Sequence, residues 1–164
     1  MINIYQKNRG RVANKKLDEN LVAQNVKELI EKLGVSATAE ISRQNRTFFI
    51  DIASNDSPVL IGKHGSNLES LQFVLAVRIK QQTAEEDFEI FLDIDGWRKL
   101  REEKLTKLAT SIAQRVAESS KGEPIYNLKA YERRLIHTIL ADHPKVTTVS
   151  EGEGEGRYLI IKPK

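Results

Sequence analysis

The sequence has no cysteine, so neither a disulfide framework nor thiolate chemistry is open to it. It has only three histidines, His64, His137 and His143. They do not fall in a cluster of metal-ligand spacing. The acidic repeat from Glu151 to Gly156 lacks the alternating oxygen ligands of a calcium loop. No metal and no cofactor is therefore expected. No apolar run approaches the roughly 20 residues of a membrane helix, and the first residues lack the apolar core of a signal peptide. The expectation is a cytoplasmic protein with no membrane span. His64 and Ser66 flank Gly65, but no third group that would orient them is evident in the sequence. The chain is expected not to be an enzyme.

What is present is ordinary in amount and uneven in placement. The 164 residues are 40% apolar and 30% charged, as in a globular protein of one domain or two small ones. Residues 1–16 carry five basic and no acidic side chains. Residues 17–95 carry 7 basic and 14 acidic ones, and residues 96–164 carry 14 basic and 9 acidic ones. The net charge of +3 thus comes from the two ends. Residues 1–16 lack apolar periodicity and read as a flexible basic arm.

The stretch Leu60-Ile61-Gly62-Lys63-His64-Gly65-Ser66-Asn67-Leu68 joins two apolar segments through a turn with glycine at both ends. Gly62 and Gly65 can adopt positive φ and let another backbone come close. Ser66 and Glu69 have capping-box spacing, which predicts a helix starting just after the turn. The amides there are expected to be unpaired and to face outward, where a phosphate would suit them. Lys63 and His64 stand at the tip as further donors. A GxxG turn between helices is the device with which KH domains hold a single-stranded backbone.

The surrounding pattern agrees. Asp18 is placed to cap a helix to about Leu33, with Leu21, Val22, Val26, Leu29, Ile30 and Leu33 on one stripe, and Gly34 stops it. Ala37, Ala39 and Ile41, then Phe48, Ile50 and Ile52, alternate with other residues as strands do, with residues 43–46 as the hairpin. Ser57-Pro58 opens a short helix ending at Gly62. The helix after the turn is apolar around most of its surface, Phe73, Val74 and Val77 included, and is expected to be central and buried. Ile90, Leu92 and Ile94 make a third strand. The order α-β-β-α-α-β resembles the type II KH fold, a three-stranded sheet backed by helices.

From about Asp95 a long helix runs to Ser119, with Trp97, Leu100, Leu105, Leu108, Ile112 and Val116 at helical spacing and six basic residues over its remaining surface. Asn127 can cap a second helix to about Ala141. Its wheel puts Tyr131, Leu135, Ile136, Ile139 and Leu140 on the buried side and Ala130, Arg133, Arg134, His137, Thr138 and Ala141 on the other. Residues 146–150 and 157–162 are strand-like, joined by the Glu-Gly repeat as a hairpin loop.

Tyr131-Glu132-Arg133-Arg134-Leu135-Ile136-His137 carries Arg-x-x-x-His. With Asn127 before it and Val146-Thr147-Thr148 through Glu151-Gly152-Glu153-Gly154 after it, the segment resembles the R-three-H domain, a module associated with single-stranded nucleic acid. The two motifs in this order resemble the bacterial Jag family (SpoIIIJ-associated proteins) over residues 17–164. Members commonly carry a further N-terminal domain; here the basic arm stands ahead of the KH core. The expected fold is α+β: a basic arm at 1–16, a type II KH domain at 17–95 and a small α+β R-three-H domain at 96–164. The resemblance implies non-catalytic binding of single-stranded RNA, with single-stranded DNA as an alternative. It also implies a regulator of transcripts linked to cell division or envelope growth. The expected contacts are Gly62, Lys63, His64 and Gly65 in one domain and Arg133, Arg134 and His137 in the other. A protein-interaction scaffold is the other reading, in which the acidic KH half pairs with a small KH-domain protein or with itself.

Overall fold

The structure, a computed structural model, describes residues 15–83 and 85–164. Of the basic arm expected at 1–16, residues 1–14 lie outside the described residues. The chain divides into two compact units, one ending at Trp97 and one spanning Arg98–Lys164.

In the first unit, helix α1 (Glu19–Leu33) is capped by Asp18, whose carboxylate accepts from the Leu21 amide at 3.0 Å. Gly34 closes it with φ +69°, a conformation that costs glycine little. Strands β1 (Ala37–Gln44) and β2 (Thr47–Ser54) form an antiparallel hairpin, and β3 (Glu89–Ile94) lies parallel to β2. The hairpin is tighter than expected, because Arg43 and Gln44 remain in β1 and Asn45 takes the left-handed conformation. Between β2 and β3 come α2 (Ser57–Ile61), a single 3₁₀ turn over Lys63–Gly65, and α3 (Ser66–Lys80). Strand alternation sends Phe48, Ile50, Ile52, Ile90, Leu92 and Ile94 into a core shared with α1 and α3. Asn25, also buried, links the two helices: its side-chain oxygen accepts from Arg78 Nε at 2.7 Å and Gln82 Nε2 at 3.0 Å.

Two expectations for this unit need correction. Leu33 is 46% exposed, beyond the packed part of α1. Helix α3 is not buried all round. Leu68, Leu75 and Ile79 enter the core, whereas Phe73, Val74 and Val77 are exposed at 69%, 45% and 37%. A single sheet layer can cover only one side of a helix, and the apolar residues of α3 exceed that side.

The second unit contains α4 (which begins at Trp97 of the first unit and runs to Ser119), β4 (Glu123–Ile125), α5 (Ala130–Leu140), β5 (Val146–Glu151) and β6 (Tyr158–Pro163). Strand β6 is central, antiparallel to β4 and β5. The buried side of α4 passes through Leu105, Ala109, Ile112, Ala113 and Val116. Leu100 and Leu108, expected on that stripe, are exposed. Small alanines allow the closer approach and shift the packed stripe away from them. Asn127 does not cap α5; it sits in the left-handed region, Leu128 is buried, and the helix starts after Lys129.

The buried side of α5 also differs from its wheel. Glu132 is fully buried and Tyr131 is 47% exposed. Arg101 Nε donates to Glu132 Oε1 at 2.7 Å, and the Lys129 amide donates to Oε2 at 2.8 Å. With both oxygens satisfied the carboxylate can stay inside, on the buried stripe it shares with Ile136 and Leu140.

Candidate nucleic-acid interface

In the first unit the candidate site is the turn between α2 and α3. Gly62 has φ +70°, and a Cβ there would lie 2.5 Å from Asn67 Cγ. The Asn67 side chain occupies that space because its Nδ2 donates back to the Val59 carbonyl at 2.8 Å. Gly65 has φ +78°, and a Cβ would lie 2.3 Å from Trp97 Cη2. The close approach that Gly65 permits is therefore to the indole of its own unit. Lys63 is exposed at the tip, and His64 is half-buried with φ +53°.

The backbone donors are more occupied than expected. The Gly62 amide donates to the Pro58 carbonyl at 3.0 Å, the Gly65 amide to the Gly62 carbonyl at 3.3 Å, and the Ser66 amide to the Lys63 carbonyl. Ser66 is the first helical residue, and α3 starts from Gly65 without a side-chain cap. Ser66, expected to cap the helix, is instead its first residue, because the left-handed glycine and the 3₁₀ turn already direct the chain into the helix.

In the second unit α5 and the ends of β5 and β6 frame an open cavity of about 780 Å³. Arg133, Arg134, His137, Thr148, Ser150 and Arg157 are among its lining. Both ring nitrogens of His137 are engaged, Nδ1 with Thr148 Oγ1 and Nε2 with Ser150 Oγ at 3.0 Å. Thr148 and Ser150 are two apart on β5 and so face the same way. Burial pushes the His137 imidazole below its ordinary value, and the Arg133 and Arg157 guanidiniums push in the same direction. A neutral imidazole with one N–H and one lone pair fits a site between two hydroxyls. Arg133 is partly tied as well, since its Nη1 donates to the Leu128 carbonyl at 2.6 Å. Arg134 is exposed. The cavity thus gathers three guanidiniums, one of them from Arg157, which the sequence pattern marks only as the start of a strand. The clue to Arg157 was its place at the end of the Glu-Gly loop, directly after Gly156.

The residues expected to bind are brought together within each unit: Gly62 to Gly65 on one turn, and Arg133, Arg134 and His137 around one cavity. Among the described residues no group of three or more histidines or carboxylates could hold a metal ion, and no helix is long and apolar enough to cross a membrane.

Comparison with known families matches residues 19–91 to the KhpA/KhpB KH domain and residues 103–163 to the R-three-H domain. The chain is thus a two-domain protein, a KH domain followed by an R-three-H domain. Relatives named RNA-binding protein KhpB share this span. The one from Clostridium symbiosum is 30% identical over 132 residues, covering 80% of this chain and 59% of the relative. That from Lactiplantibacillus plantarum is 32% identical over 133 residues, covering 81% and 41%. That from Bacillus subtilis is 25% identical over 138 residues, covering 83% and 66%. The chain belongs to the Jag family, the KhpB-type proteins that join these two domains. It spans 59% and 41% of the first two relatives' lengths.

Proposed function

We propose that the protein binds single-stranded RNA without catalysing a reaction on it, using the glycine turn of the first unit and the arginine-lined cavity of the second as separate backbone contacts. The observation that carries this reading is the second-unit cavity, where Arg133, Arg134 and Arg157 converge around an anchored His137. Guanidiniums match phosphate geometry in any protonation state. The second unit is also net positive, with 14 basic side chains against 9 acidic ones. On the first unit Lys63 would act as the main side-chain donor, with Gly62 and Gly65 shaping the turn and His64 beside it. Because several turn amides are already bonded within the chain, we assign that contact the smaller share of affinity. As in the family resemblance, the wider role would be control of transcripts in cell division or envelope growth, within the cytoplasm.

The test is fluorescence anisotropy of the full chain with a labelled single-stranded oligouridylate across a salt series. Binding that weakens with salt, and weakens further when Arg133 and Arg157 are both alanine, supports the reading. Absence of binding even at low salt would refute it. A second reading is favoured by one observation, the exposed Phe73, Val74 and Val77 of α3 with Val59 of α2 also exposed. Scattered apolar side chains need no partner, but several on neighbouring helices are typical of a docking face. The proposed partner there is a small KH-domain protein or a second copy of this chain, and sedimentation of wild type beside Phe73→Glu addresses it.

A further inference from the structure

We infer that the groove between α4 and α5 is a nucleobase subsite, in which Tyr131 stacks an unpaired base of the strand whose phosphates lie against Arg133, His137 and Arg157. The inference rests on the RNA-binding reading above and extends it to a surface on the other side of α5.

Tyr131 is exposed for a definite reason. Glu132 takes the neighbouring buried position because Arg101 and the Lys129 amide satisfy it, so the aromatic ring is held at the surface of a regular helix. There it lines a cavity of about 360 Å³ together with Leu105, Leu135, Glu102, Arg98 and Arg134. A planar ring beside two leucine side chains offers a stacking face, and the charged side chains that share the lining offer partners for the polar edge of a base.

The charges of the two cavities differ in the sense the inference needs. Among the described residues, the cavity around His137 is lined by three arginines and no carboxylate, which suits phosphate. The α4–α5 groove is lined by Arg98, Arg101 and Arg134 but also by Glu102, and the Arg101 guanidinium is committed to Glu132. A carboxylate repels phosphate but can accept from an N–H donor on the edge of a base, the ring N–H of uracil included. Arg134 and Thr138 line both cavities. The two sites are therefore adjoining, and a strand passing from one to the other crosses only the exposed ridge of α5. Arg134 on that ridge is placed to meet the phosphate between them.

The experiment compares the full-length wild type with Tyr131→Ala, Tyr131→Phe, Tyr131→Trp and Arg133→Ala, using a labelled single-stranded oligouridylate and the same oligomer bearing abasic positions. Stacking predicts that Tyr131→Ala weakens binding by about five- to a hundredfold with an unchanged salt slope, and that the Phe and Trp variants retain affinity. It also predicts that the alanine variant loses little more when bases are removed from the strand. A 5-iodouridine oligomer should crosslink at Tyr131. Wild-type affinity in Tyr131→Ala, while Arg133→Ala is weakened, would overturn the subsite and leave the RNA-binding reading intact. So would a phenylalanine variant as weak as the alanine one, since the ring would then not be the contact. If the wild type binds no RNA, the functional reading fails and the subsite falls with it.

Discussion

Arg101 reaches from α4 to the fully buried Glu132 of α5, its Nε donating to Oε1 at 2.7 Å. Removing one partner of such a pair leaves a charge or a polar group without compensation. Losses of about 3–5 kcal/mol are typical for fully buried pairs. The Arg101 side chain keeps 20% of its exposure, so the cost should fall toward the low end, about 2–3 kcal/mol for Glu132→Ala. Glu132→Gln keeps an acceptor for the Lys129 amide and should cost less. Urea unfolding of the three proteins checks this order. Equal stability of wild type and Glu132→Ala would mean that the pair contributes nothing to the fold.

That pair also marks the limit of what the sequence discloses. Strand alternation gives β1, β2 and β3, and Asp18 and Gly34 give the ends of α1, because each depends on local chemistry. The second-unit motif similarly puts Arg133 and His137 on one side of α5. The helical wheel puts Tyr131 on the buried side and leaves the carboxylate of Glu132 unplaced, whereas Tyr131 is half-exposed and Glu132 is fully buried. The reason is a partner 31 residues away, which no local pattern contains. The same holds for Arg157, which joins the cavity through the pairing of β5 with β6, and for the glycine turn, where Trp97 rather than a ligand fills the space beside Gly65.

His137 should make stability depend on pH in a definite direction. Burial, Arg133 and Arg157 all lower its proton affinity in the folded protein, whereas the unfolded chain titrates at about 6.5. Between those two values the unfolded state holds more protons, so stability rises with pH there. The contribution is complete above about 6.5 and is lost as pH falls through the depressed native value. The slope of melting temperature against pH below neutrality should be steeper in wild type than in His137→Gln. Identical slopes would show that the imidazole is not linked to folding. RNA affinity should gain little between pH 7.5 and 6.5, about the range where a free imidazole would begin to charge.

The glycine turn separates folding from binding. Gly65→Ala places a methyl against the Trp97 indole at a backbone angle of +78°. The combined strain and overpacking should cost about 2–4 kcal/mol, read as a fall in melting temperature. Lys63→Asp with His64→Asp should instead fold normally, because the two side chains are at the tip and aspartate tolerates the left-handed angle of position 64. The double variant should bind single-stranded RNA more weakly. A double variant with unimpaired affinity would remove the turn from the binding surface.

The three arginines of the second-unit cavity should be distinguishable by what each loses. On a single strand each neutralised phosphate contributes about −0.7 to the slope of log affinity against log salt. Arg134→Ala and Arg157→Ala should each reduce that slope by about this amount. Arg134 is exposed, and its loss should leave melting unchanged. Arg133 has a second task, since it donates to the Leu128 carbonyl ahead of α5 at 2.6 Å. Losing a hydrogen bond from a charged donor costs about 1.5–3 kcal/mol, reduced here because the side chain is only half-buried. Arg133→Ala should therefore lower both the salt slope and the melting temperature, whereas Arg133→Lys should retain charge while loosening the anchor. Removing Arg157 also takes away a cation that depresses His137, so in Arg157→Ala the native value of His137 should lie closer to about 6.5, and the acid-dependent loss of stability should be smaller. Salt titration and melting curves at several pH values measure all of these together. If Arg157→Ala leaves both the salt slope and the pH profile untouched, Arg157 takes part in neither phosphate binding nor the setting of His137.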